Sequence, residues 1–161
     1  MTDVLSLLQE FRGEKLALLL RHEVGARQMA QYDVNNTYQY IVNREEVQVS
    51  WLSTAIAELG GAVTDPSATP GPPPGRGADA VRRTLEEDVA GAQAFVDRWR
   101  PRVEAMDNAR HAKMLRLILG ETLEQKRFFE QALAGRTDLL GRRAAQQDAA
   151  RGEVLSSRWI E

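Results

Sequence analysis

Five of the six prolines of this chain lie in residues 61–79, GAVTDPSATPGPPPGRGAD. A stretch of that composition can be neither helix nor central strand, because proline lacks the backbone donor and glycine weakens both ladders. It reads as an extended, polyproline-like linker. The chain is therefore divided near its middle, and whatever core it builds must be assembled from the segments on either side.

Both flanking segments read as helical, and no β-branched alternation is sustained anywhere. Each has a polar break near its centre, Asp33-Val34-Asn35-Asn36-Thr37 in the first and Asp107-Asn108 in the second. These are turn and N-cap residues, so each side reads as two helices joined by a short turn. The expected helices span about 3–31, 37–60, 79–106 and 108–134, with Gly60-Gly61 and Gly135 as C-terminal stops. Gly13 should weaken the first helix, and Pro101 should kink the third near its end. The fold class expected is all-α, a four-helix bundle over residues 1–134 with a C-terminal extension at 135–161. A helix of such length is about 38 Å long. A linker extended at about 3 Å per residue can cross that distance. Two antiparallel hairpins with one long crossover meet the requirement; so does a loop that stays at one end.

Each expected helix carries an apolar stripe at steps of three and four, and each stripe is interrupted mid-helix by polar groups. In the first, Leu16 and Leu19 lead to Glu23 and then Ala26. In the second, Glu45 and Gln48 stand between Ile41 and Leu52. In the third, Asp88 follows Leu85, and in the fourth, Glu121, Thr122 and Gln125 stand between Ile118 and Phe128. A buried carboxylate is costly unless it is paired, protonated or coordinated. With the first turn centred near residue 34, Glu23 and Glu45 are level. With the second near 106, Asp88 is level with the Glu121–Gln125 turn. A carboxylate-lined pocket inside the bundle is the expectation.

In these positions the chain resembles the ferritin-like carboxylate-bridged di-iron proteins (ferritins, bacterioferritins and rubrerythrins), over about residues 12–134. That family places a Glu on each of two helices and Glu-x-x-His on each of the other two, all facing inward. The resemblance implies Glu23 and Glu45 as ligands of the first two helices, with Gln48 where the family has His. It implies Asp88, or Glu87, for the third helix and Gln125 at the second His position. Three residues before Gln125 stands Thr122, while the shifted pair Glu121-x-x-Glu124 restores carboxylates without an imidazole. A glutamine amide is a weak iron ligand beside imidazole, so the ligand motifs are degenerate. His22, on the edge of the first stripe, is either a partial replacement or a hydrogen-bonded core residue. His111 reads as a surface residue, and Tyr38, Trp51 and Trp99 as core packing.

The functional expectation is a ferritin-like bundle without an intact di-iron centre, in a structural or binding role and without a tightly held cofactor. Two alternatives stand beside it. One is an oxidoreductase holding Fe or Mn on Glu23, Glu45, Asp88 and Glu121; the other is a cleft for a small organic ligand. Whether the chain is an enzyme stays open. A homodimer is expected. Val154, Leu155, Trp159 and Ile160 in the C-terminal extension either pack back on the bundle or dock a protein partner. A net charge of −2 offers no basic field for nucleic acid or anionic membrane. No apolar run approaches membrane-spanning length, and the N-terminus lacks a signal-peptide pattern. The absence of cysteine removes disulfides and thiolate sites. A cytoplasmic location is the default that follows.

Overall fold

The computed structural model describes residues 3–66, 75, 77–136 and 138–140. Among them are four long helices and no strand: α1 (Val4–Gln28), α2 (Tyr32–Glu58), α3 (Ala78–Glu104) and α4 (Ala109–Leu133). The chain is an all-α four-helix bundle. No helix among the described residues is long and apolar enough to cross a membrane.

Side-chain caps set three of the helix starts by satisfying amides that the first turn leaves without partners. Asp3 accepts from the Leu5 amide at 3.2 Å, Gln31 from Val34 at 2.7 Å and Asn108 from His111 at 3.0 Å. At the other ends, Gly60 (φ 77°) and Gly135 (φ 82°) follow the C-caps of α2 and α4 in the left-handed conformation that only glycine adopts cheaply. Helix α1 runs through Gly13, and α3 continues past Pro101 to Glu104.

The expected start of α2 needs correction. Residues 33–37 are helical rather than a turn, and the chain reverses at Met29–Gln31, about one helical turn earlier. Their polar side chains fold onto backbone carbonyls instead. Asn35 Nδ2 donates to the Ala26 carbonyl at 2.8 Å, tying α2 to the end of α1, and Thr37 Oγ1 donates to that of Asp33 at 2.8 Å. Gln31, which has no special turn propensity, supplies the cap.

Helix α1 packs chiefly on α2, and α3 on α4; α1 also meets α3, and α2 meets α4. The segment between α2 and α3 touches α1 near both of its ends. Gln9 and Arg12 donate to the carbonyls of Ala62 and Thr64, and Gln28 donates to that of Gly75. Besides a small group formed by Leu16, Leu19 and Val42, two apolar clusters fill the bundle. The larger surrounds Phe11, Leu52, Phe95, Trp99 and Ile118, and the smaller surrounds Met29, Ile41, Leu85 and Phe129. Polar side chains lie between them.

Candidate functional site

Lys15 and Glu45 are both fully buried, and Lys15 Nζ lies 3.0 Å from Glu45 Oε2. The same ammonium donates to Thr122 Oγ1 at 3.2 Å and sits 5.6 Å from the Phe95 ring centroid. Thr122 passes its own proton back to the Ile118 carbonyl at 2.8 Å, so its oxygen is free to accept from Lys15. The other oxygen of Glu45 is held in a close contact by His22 Nδ1. Across the bundle, His22 Nε2 lies 3.8 Å from Asp88 Oδ1, while Tyr38 donates its hydroxyl to Asp88 Oδ2 at 2.5 Å. All four helices thus contribute to one buried polar layer.

The electrostatics follow from this geometry. Burial alone would lift the Glu45 carboxyl, but the charges of His22 and Lys15, with their hydrogen bonds, outweigh it and hold Glu45 below the usual carboxylate range. Asp88 goes the other way. Burial raises its carboxyl against the pull of His22, the Tyr38 hydroxyl and Arg21, and the charge of Glu45 adds to the rise. Burial, then the charge of Asp88, pushes the Tyr38 hydroxyl up, so it stays a protonated donor. These shifts have opposite signs in stability. Glu45 contributes stability that is present above its unfolded value and lost as pH falls through its depressed folded value. Asp88 binds its proton more tightly folded than unfolded, so its ionisation removes stability as pH rises above about 4. Asp88→Asn should flatten that decline above about pH 4 relative to the wild type, as urea denaturation at stepped pH will read. A decline of unchanged slope would remove Asp88 from the account.

Glu121 is half-buried at the edge of the layer, where Arg44 reaches Oε1 through Nε at 2.8 Å and Nη2 at 2.5 Å. Gln48 donates its amide to the other oxygen of Glu121 in a close contact. Gln125 is buried, and neither of its amide atoms has a partner among the described residues; Gln48 Oε1 and His22 Nε2 share that condition. Gly25 gives the layer room. A Cβ there would come within 3.2 Å of Tyr38 Cε1 and 3.3 Å of Thr84 Cγ2. Gly25→Leu should therefore cost about 1–3 kcal/mol by overpacking. It should also break the Tyr38–Asp88 hydrogen bond, visible as altered near-ultraviolet tyrosine absorption. An unperturbed tyrosine spectrum would show that the helices yield elsewhere.

Of the residues expected from sequence, Glu45, Gln48, Asp88, Glu121 and Gln125 take part in or border this layer, and His22 lies at its centre. Glu23 is half-buried and makes no hydrogen bond or ion pair among the described residues. Sequence reading missed Lys15 and Arg44, and Lys15 is the one at the centre. Its signal was available, since Leu8, Lys15 and His22 are seven apart and share one face of α1. His111, expected on the surface, is buried at the α2–α4 seam beside Trp51 and Ala55. Capping by Asn108 turns the first residues of α4 inward there. Tyr38 and Trp99 are core residues as expected, whereas Trp51 is only partly buried.

The donor set does not fit a di-iron centre. The carboxylate of Glu45 already carries an ammonium and an imidazole, that of Glu121 a guanidinium, and neither glutamine supplies a nitrogen donor in the neutral form iron favours. Among the described residues no group of three or more His, Asp or Glu is arranged to hold a metal ion. Comparison with family models, with curated proteins and with solved structures returns no match to this chain.

Proposed function

We propose that this chain is a ferritin-like bundle whose central layer is closed by its own cations, in a structural or binding role rather than di-iron chemistry. The pairing of α1 with α2 and of α3 with α4 supports the ferritin-like topology. So does the intervening segment, held against α1 near both its ends. The observation that carries the functional half is the 3.0 Å ion pair between Lys15 and Glu45, both fully buried. A carboxylate buried without compensation is expensive, and the usual compensation in such a bundle is a metal. Here an ammonium from α1 provides it, and Gln48 occupies part of Glu121.

Anaerobic calorimetric titration of the wild type with Fe(II), then with Mn(II), tests the reading. No saturable binding at micromolar metal is the expected result. One equivalent bound per chain, with a shifted Lys15 ε-methylene resonance, would move the assignment to the all-carboxylate Fe or Mn oxidoreductase.

A further inference from the structure

Near the start of α4 a cleft of about 250 Å³ opens at the α2–α4 seam, and no residue of the central layer lines it. Its walls are apolar, with Trp51 and Ala55 on α2 and Met114 on α4. At the mouth Glu58 and Arg110 pair with each other at 3.2 Å, so together they offer no net charge to a guest. His111 also lines the cleft and is only 7% exposed. Its Nδ1 has no hydrogen-bond partner among the described residues, and no ion pair or ring contact there holds the imidazole. The ring torsion is broad and two-fold, so a half-turn about Cβ–Cγ brings either edge to the cleft.

We propose that this cleft is a binding site for a neutral, flat, two-ring aromatic molecule bearing one N–H or O–H donor, of the size of indole. An apolar protein cavity of about 150 Å³ takes up benzene, and a cleft of about 250 Å³ leaves room for a second fused ring. The indole of Trp51 and the thioether of Met114 favour an aromatic guest through ring–ring and sulfur–ring contacts. The neutral mouth gives an ionic guest nothing to pair with. The donor answers His111, whose neutral ring accepts at one nitrogen. A buried acceptor left unpaired is costly, so a guest that lacks the donor forfeits that compensation and binds more weakly. Specificity thus comes from one imidazole set in an otherwise apolar wall, the usual design of a small-molecule site.

Indole and benzofuran have nearly the same shape, and only indole has a donor, so the pair isolates the role of His111. Titrated into the full chain carrying labelled methionine methyls, indole should saturate with a Kd below about 1 mM. The Met114 methyl should shift while those of Met29 and Met106, which lie outside the cleft, stay in place. Benzofuran should bind at least about fivefold more weakly. Thr54 is an exposed lining residue, so Thr54→Trp should block indole binding with the helix content unchanged. His111→Phe should bring the two affinities within about twofold of each other. Absence of saturation, a shift centred on Met29 or Met106, equal affinities in the wild type, or indole binding retained by Thr54→Trp each overturns the proposal.

Discussion

Lys15→Met will lower the unfolding free energy by about 3–5 kcal/mol, the effect expected when one partner of a buried ion pair is removed. The methionine fills most of the volume, so the loss is electrostatic and not a cavity. Glu45 would keep its contact with His22 but lose the neutralising ammonium at 3.0 Å, and Thr122 would lose the donor at 3.2 Å. The double variant Lys15→Met, Glu45→Leu should recover most of that loss, because two well-packed apolar side chains can replace a buried pair at little cost. Urea denaturation of the four proteins in the cycle gives the coupling directly. A single-variant loss below about 1 kcal/mol would mean the pair behaves like a hydrated surface bridge, and the claim of a closed layer would go with it.

The second large effect concerns metal. Gln48→His with Gln125→His restores imidazoles at the positions that the resemblance assigns to them, and Glu45 lies three residues from the first, on the same face of α2. With Lys15 in place, that double variant should still bind Zn(II) weakly, since a cation already occupies Glu45. Adding Lys15→Ala should raise the affinity at least about 100-fold, the equivalent of about 3 kcal/mol of removed competition. Zinc is the suitable probe because it has no redox chemistry and accepts mixed nitrogen and oxygen ligands. Competition with a chromogenic chelator measures both constants. Equal affinity with and without Lys15 would show that the ammonium is a bystander to any metal held there.

The four helices were legible because their stripes are long and the proline cluster admits only one division of the chain. The level of the polar layer on α2, α3 and α4 was legible too, since Glu45, Asp88 and Thr122–Gln125 each break an otherwise apolar stripe. What was lost on α1 follows from one local error. Placing the first turn near residue 34 puts Glu23 opposite Glu45. The turn actually lies at Met29–Gln31, and moving it there brings residue 15 opposite residue 45. Asn35 and Thr37 looked like turn formers but bond carbonyls inside or beside the helix, a use of such side chains that composition does not separate from capping. Arg44 was equally hidden, because its role depends on reaching across to Glu121 on another helix.

The pairing of α1 with α2 and of α3 with α4 has a consequence for assembly. Contacts between sequence neighbours form quickly, so each half can come together before it meets the other. Apolar stripes alone would let the halves slide past one another by a turn with little loss. Three polar links forbid it: Lys15 to Thr122, Tyr38 to Asp88 and Arg44 to Glu121 all join the first half to the second. A one-turn slip, about 5.4 Å, breaks all three at once and takes the Tyr38 donor away from the buried Asp88. The central layer thus acts as a lock and key for the final docking step, selecting one alignment from several that greasy surfaces would tolerate.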